Sequence, residues 1–319
     1  MKEMTHRYSD ELLIFCNENH DKCTLCGKAF EDANTAHLGY LIDGDLAYLC
    51  DECSKHLKET VVRHYWQKRE YEKPDINDCL WRYMDLAKFI SLIDKKELYF
   101  SAAENLTDPF EGAKGVIYNK EKWNQFYYDF FQNAVVTAPG INIEELTTEK
   151  IEKDAQRLLL ELQKGGERSR KFTFINCWYL NNFESEAMWK LYSKDITNAI
   201  AIRSTYTRLY NAINKNPSIA IGKVKYIDFD KRFSSINGAY WYKRKSFEYE
   251  NEVRAIYSDF KQSKKPGIGI PVDIDVLIDK IFISPYATNW FSDVVNSIIK
   301  KYEVKKEILQ STMMVAPFY

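Results

Sequence analysis

Apolar and polar positions follow two different rhythms along this chain. Between Cys23 and Cys53 the apolar residues come in short runs. Leu41-Ile42 and Leu46-Ala47-Tyr48-Leu49 read as two strands, with Asp43-Gly44 supplying a turn tolerant of positive φ. The stretch from Ser54 to Glu72 lacks Pro and Gly and carries Leu57, Val61, Val62 and Tyr65 at helical spacing, which predicts a helix. Polar residues cluster from Tyr71 to Asp75, and Pro74 cannot continue a helix. A boundary is expected there, between a module over 1-73 and a larger domain over 78-319.

Strand-like and helix-like segments alternate from Leu80 onward. Leu80–Met84 reads as a strand, Asp85 as the cap of a helix through Ile93, and Leu98–Ser101 as the next strand. Long helical patterns occupy 120-135 and 143-164, the second stopping at Gly165-Gly166. Strands are predicted at Phe172–Trp178, Ala199–Ile202, Ala220–Tyr226, Val253–Tyr257 and Ile281–Ser284. Helices are predicted at Glu184–Tyr192, Tyr206–Ile213 and Phe291–Lys301. The strands are too irregularly spaced for tidy βαβ units, so the expected class is α+β, a mixed sheet with helices. Trp123, Phe126, Tyr127, Tyr128, Phe130 and Phe131 read as helix core, because together they span more than one helical face.

Composition narrows the function classes. The 319 residues are 45% apolar and 29% charged with a formal net charge of -1, which speaks against a protein that coats nucleic acid. No apolar run approaches the roughly 18 residues of a membrane span, and ELLIFC is too short for the core of a cleavable signal. A soluble, cytoplasmic protein is expected, with no membrane partner.

Four of the seven cysteines form two C-x2-C pairs, Cys23/Cys26 and Cys50/Cys53, separated by 23 residues. Each pair places two thiolates on one tight turn, and two pairs complete a tetrahedral set for a structural zinc. Knuckle, hairpin and following helix together look like a treble-clef module. Four thiolates leave no open position for catalysis, and His20 or His37 are the substitutes for a cysteine ligand. Residues 1-73 hold 10 Lys and Arg against 14 Asp and Glu, so docking of a protein partner is favoured over nucleic-acid reading. Cys16, Cys79 and Cys177 stand apart, and the odd total fits a reducing compartment.

Candidate chemistry concentrates in the larger domain. Glu248, Glu250 and Glu252 alternate, so an extended strand would set all three on one face with Arg254. On a helix the same residues would instead form a solvated Glu250–Arg254 pair. Arg82 lies between Trp81 and Tyr83, where a guanidinium could clamp a pyrophosphate or join a structural ion pair. Trp189 and Tyr192, on an amphipathic helix, are core residues or pocket lining. Asp108-Pro109-Phe110-Glu111 is a turn that reads equally as a lid or a simple tight turn. There is no G-x-x-x-x-G-K-[ST], H-E-x-x-H or G-x-S-x-G motif, so ATPase, metalloprotease and hydrolase readings lack their usual support.

Four ordered stretches carry a resemblance covering nearly all of residues 80-312. They are LWRYMDLAKFISLIDKKELYFSAAENLTDPFEG, FINCWYLNNFESEAMWKLYS, SFEYENEVRAIY and IDKIFISPYATNWFSDVVNSIIKKY. The set resembles the bacterial domain-of-unknown-function family twenty-nine seventy-one, itself similar in outline to the ADP-ribosyltransferases, which cleave NAD. The resemblance implies an ADP-ribosyltransferase-like sheet, NAD as substrate, and a toxin or phage-defence effector. It also implies a site with Arg82 and Tyr83 on the first strand, Ser101 on the second, and Glu250 or Glu252 as catalytic carboxylate. Trp189 and Tyr192 would add to the cofactor contacts. A clear Ser-Thr-Ser triplet on the second strand is missing, which leaves the nicotinamide contact open. The alternative is a non-catalytic nucleotide-binding or regulatory module with a zinc docking domain. A nuclease ranks third, because no H-N-H pattern surrounds His37.

Overall fold

The computed structural model describes residues 21–31, 34–65, 70–137, 146–193, 195–216, 218–260 and 264–319. It divides into two units, Met1–Glu70 with Lys215–Pro217, and Tyr71–Asn214 with Ser218–Tyr319.

The smaller unit is a three-stranded antiparallel sheet in the order β2-β1-β3, with β1 at Thr35–Leu41, β2 at Leu46–Cys50 and β3 at Leu57–Tyr65. The hairpin turns where expected, closed by Gly44 N–H donating to the Leu41 carbonyl. The helix predicted from Ser54 is corrected. Only Ser54–His56 forms a 3-10 turn, and a strand follows. Thr60, Val61 and Val62 are β-branched and favour the pleat, and β3 satisfies the second edge of β1. Among the described residues, the helix of the treble-clef outline therefore gives way to a 3-10 turn and a strand. The pairing shifts register between Leu38 and Gly39, where a side chain at Gly39 would strike the Glu59 backbone. The remainder of the predicted helix, 66-69, lies outside the described residues, as do Cys16 and His20.

The larger unit is a nine-stranded mixed sheet with helices. Its main path is β12-β5-β6-β4-β7-β13-β14, and β11 pairs with both β6 and β8. The strands are β4 Cys79–Asp85, β5 Glu97–Ala102, β6 Thr173–Leu180, β7 Ala199–Thr205, β8 Ile219–Lys223, β11 Glu252–Ser258, β12 Gly267–Pro271, β13 Lys280–Ile283 and β14 Glu307–Gln310. A separate parallel pair joins β9 Lys225–Ile227 to β10 Tyr242–Arg244. Helices Leu86–Lys95, Tyr206–Ala212 and Asn289–Lys301 are capped by Asp85, Thr205 and Thr288, whose side chains accept from the first-turn backbone. The main core gathers Phe89, Leu98, Phe100, Trp178, Ile202, Leu209, Ile281 and Phe291.

Three expectations are corrected in this unit. The helix predicted to stop at Gly165-Gly166 runs as Thr148–Phe172, capped by Thr147, and packs against the helix Lys120–Thr137. Tertiary packing outweighs the roughly 1 kcal/mol that each interior glycine costs. Within Lys120–Thr137 only Trp123 is buried, whereas Phe126 is 63% exposed and Phe130 54%. The aromatic cluster is therefore not all core. Finally, Lys245–Glu250 is a 3-10 helix and Asn251 takes a left-handed conformation at φ 34°, so Glu248, Glu250 and Glu252 do not share one extended strand.

Candidate functional site

Two places gather chemistry. In the smaller unit the sulfurs of Cys23, Cys26, Cys50 and Cys53 lie within 4.8 Å of one another, with Cys26 Sγ 3.9 Å from Cys50 Sγ. All four are free thiols. Tetrahedral zinc with Zn–S of about 2.3 Å requires sulfur separations of about 3.8 Å, so the donor set fits that metal. Gly27, at φ +70°, turns the first knuckle, and Cys23 N–H donates to the Lys28 carbonyl. Thr24 ties the knuckle to β2, exchanging hydrogen bonds with the Tyr48 backbone.

The acid–base balance of the four sulfurs points the same way. Burial pushes the Cys23 thiol up, but backbone donors at Cys26, Cys50 and Leu25 outweigh it and bring it down to about 6. Burial and then the sulfurs of Cys26, Cys50 and Cys23 push Cys53 up to about 12. Four sulfurs so close cannot all ionise together until a divalent cation takes up their charge. His37 is not a fifth donor: its Nε2 lies 2.7 Å from Asp51 Oδ1 and holds that carboxyl below its ordinary range.

The second place is a wedge in the large sheet. β4 and β5 both pair along the same edge of β6, β4 at Leu80↔Leu180 and Trp81↔Tyr179, β5 at Ser101↔Ile175 and Ala102↔Phe174. Between these contacts the two strands diverge, while β11 covers the whole opposite edge of β6. Arg82 and Asn176 tie the opening: Arg82 Nη1 donates to the Cys177 carbonyl at 2.7 Å, and Asn176 Nδ2 to the Tyr99 carbonyl at 2.8 Å. The wedge holds a cavity of about 450 Å³, lined by Arg82, Tyr83, Ser101, Tyr192, Glu250 and Glu252 among others. That volume lies within the range of small-molecule pockets.

Behind the cavity stands a closed ionic network. Arg254 is fully buried; its Nε lies 2.9 Å from Glu252, both terminal nitrogens lie 2.7 Å from Glu111, and Nη1 also donates to the Tyr240 carbonyl. Lys243 Nζ pairs with Glu250 and lies 3.3 Å from Glu252 and 3.8 Å from Glu111. Three carboxylates thus face two cations. Burial pulls both cations toward neutrality, but Glu252 first, with Glu111 and Glu250, holds Arg254 and Lys243 above their ordinary values.

The two neighbouring carboxylates are driven apart. Burial would raise Glu252, yet Arg254 and Lys243 bring it down to about 2. Burial dominates at Glu250 and, despite Lys243, leaves it above the ordinary glutamate value. Tyr192 is 40% exposed, yet burial and then Glu250 and Glu252 push its phenol up, so the hydroxyl end is the covered end. Burial and then Glu252 also push the Cys177 thiol well up, which disarms it as a nucleophile.

Arg82 is a different kind of cation. Burial lowers its hold on the proton, and among the described residues no carboxylate pairs with it. Its guanidinium stands 5.9 Å from the Trp178 ring.

Of the residues singled out from sequence, Arg82, Tyr83, Ser101, Tyr192, Glu250 and Glu252 line one cavity. Trp189 does not line it. It is fully buried, edge-on to Tyr83 at 4.9 Å, with Nε1 donating to Glu184. Glu248 is exposed. Asp108 and Glu111 are buried anchors rather than a lid, pairing with Arg244 and Arg254. Sequence reasoning missed Lys243 and Cys177. Lys243 sits two residues after Trp241 in the run Tyr240-Trp241-Tyr242, and that aromatic setting is its one sequence signal.

No protein-family model matches the chain, and no curated protein matches it. Among solved structures, "Thermus sp. 2.9 DarT in complex with ADP-ribosylated ssDNA" aligns over 77% of this chain and 98% of its own, at 9% identity and a TM-score of 0.33. At that TM-score the likeness carries no argument. Among the described residues no helix is long and apolar enough to cross a membrane.

Proposed function

We propose that the wedge cavity binds NAD and that the protein is an ADP-ribosyltransferase-like enzyme. The observation that carries this reading is the meeting, in one cavity, of an arginine without a carboxylate partner and a pair of carboxylates with divergent proton affinities. Arg82 has donors to spare for a pyrophosphate. Tyr83 and Tyr99 offer ring surfaces beside it, and Ser101 a hydroxyl. In the reaction the bond from ribose C1′ to the nicotinamide nitrogen breaks, and the electron pair leaves with neutral nicotinamide. The acceptor's oxygen or nitrogen then bonds to C1′, and its proton passes to a carboxylate.

Glu250 is suited to take that proton. Its raised proton affinity makes it the better base of the two, and its second oxygen makes no hydrogen bond among the described residues. Glu252 stays ionised and supplies fixed negative charge near the developing ribosyl cation, while holding Lys243 and Arg254 in place. The four-cysteine unit would hold zinc and dock a protein partner. A cytoplasmic toxin or phage-defence effector is the setting that the family resemblance implies.

The test is incubation with NAD and chromatographic detection of nicotinamide. Turnover is expected, with Glu250→Gln lowering it by about 10²- to 10⁴-fold while NAD binding stays nearly unchanged. Saturable NAD binding without nicotinamide release would leave a nucleotide-binding module. Absence of binding would sink the reading altogether.

A further inference from the structure

A second cavity of about 300 Å³ lies in the larger unit and shares no lining residue with the wedge. It is formed by the 112–117 loop, the helices Lys120–Thr137 and Thr148–Phe172, and Phe233. Two of its lining residues, Trp123 and Arg170, each carry a buried side-chain nitrogen, Nε1 and Nε, with no hydrogen-bond acceptor among the described residues. Trp123 itself is only 6% exposed. Leaving a buried donor unmade is costly, and buried polar groups are almost always satisfied. Neither donor has an acceptor that the described residues supply.

The charge of the wall says what kind of acceptor. Lys114, Lys120 and Arg170 line the cavity against one carboxylate, Glu167, which is exposed. Lys114 Nζ donates to the Ile236 carbonyl at 2.8 Å, and among the described residues neither Lys114 nor Arg170 joins an ion pair. Burial brings Lys114 down to about 8, as expected of an ammonium held off water without a counter-charge. Trp123 and Phe233 add ring surface to the same wall. In the ionic network behind the wedge, buried cations are matched by carboxylates, as Arg254 is by Glu111 and Glu252. Here they are not.

The structure assigns this cavity as a second ligand site, for a phosphate monoester carried on a flat or apolar body, of mononucleotide size. The phosphate oxygens would accept from Arg170 Nε, Lys114 Nζ and Trp123 Nε1, and the body would pack on Trp123 and Phe233. The site is independent of NAD chemistry at the wedge.

Titration calorimetry with AMP and with inorganic phosphate tests it, on the full chain and on three variants. Arg170→Met keeps the apolar stem, and Trp123→Phe keeps the ring but removes the donor. Arg82→Met marks the wedge. A saturable AMP-binding component is expected that Arg170→Met weakens at least about tenfold and Trp123→Phe several-fold, and that persists when Arg82→Met removes any binding at the wedge. Inorganic phosphate should bind more weakly than AMP at the same residues. A second readout needs no variant stability beyond assignment: the Trp123 indole N–H resonance should shift on adding AMP to the unaltered protein. The inference is overturned if AMP binding is absent, if no component of it responds to Arg170→Met or Trp123→Phe, or if all of it is lost in Arg82→Met. In the last case AMP occupies only the wedge. Loss of NAD turnover alone leaves the second site standing.

Discussion

The cysteine cluster and the carboxylate cluster both crowd like charges into a small volume, and the chain resolves the two in opposite ways. Glu111, Glu250 and Glu252 are largely balanced from within, by the two cations Arg254 and Lys243. Cys23, Cys26, Cys50 and Cys53 have no cation of their own in the set and suit one from solution. The first arrangement is complete when the chain folds, and its stability is a matter of pH and of its five members. The second is complete only with metal. The difference teaches where each unit is fragile.

The sharpest way to break the comparison is to remove the metal. Structural zinc contributes on the order of 10 kcal/mol to the folding of small modules. The purified protein should carry about one zinc per chain. Chelation should raise amide exchange across 35–50 toward the unprotected rate while β4 and β7 stay protected. Cys50→Ser should reproduce the effect of the chelator. A protein free of zinc with 35–50 still protected would show that the sulfurs need no cation.

The next largest effect belongs to the self-neutralised cluster. Arg254→Met removes the guanidinium and strands Glu111 and Glu252 in a site with almost no solvent. Breaking a buried pair in this way costs about 3–5 kcal/mol, to be read from urea unfolding of the larger unit. Chelator should not add to it if the two clusters are independent.

Acid should dismantle the same network more gently. Glu252 has its folded value at about 2, below its ordinary 4.5. Its contribution, about 3 kcal/mol, is fully present above the ordinary value and is lost as pH falls from there toward 2. Glu250 works in the other direction. Its folded value is raised, so stability declines as pH rises through the ordinary glutamate value toward the folded one. Glu250→Gln should remove that opposing limb and steepen the acid profile, as measured by unfolding midpoints from about pH 2 up through and above the ordinary glutamate value.

How much of this was legible in the sequence follows from the range of the forces involved. The four cysteines were readable because two C-x2-C turns encode their geometry locally, whatever follows. What followed was misread: Leu57, Val61, Val62 and Tyr65 fit a helical period, and only the partnership with β1 makes them a strand. In the larger unit β4, β5 and β11 were legible from their short β-branched and aromatic runs, and so Arg82 and Ser101 could be placed on their strands, whereas Glu250 falls on a 3-10 turn before β11. The kink at Asn251 was not legible, since it depends on a hydrogen-bonded exchange with Leu180, 71 positions earlier. Nor was the network, because Lys243 and Glu111 reach Glu252 from elements whose adjacency only the sheet order defines.

Arg82 provides the smallest expected effect on stability and the finest test of the comparison. It is a charged residue with a covered guanidinium, as Arg254 is, but nothing ionic depends on it. Arg82→Met would remove one hydrogen bond, to the Cys177 carbonyl, and would also remove the cost of holding a guanidinium away from water. The two terms oppose each other, so the unfolding free energy should change by no more than about 1 kcal/mol. Ligand binding should respond far more. A charged hydrogen bond to a phosphate is worth about 1.5–3 kcal/mol, so NAD affinity should fall about tenfold to hundredfold. A variant as destabilised as Arg254→Met would mean that Arg82 belongs to the architecture of the wedge. A variant that is stable and binds NAD as well as before would mean that the pyrophosphate, if it enters at all, is held elsewhere.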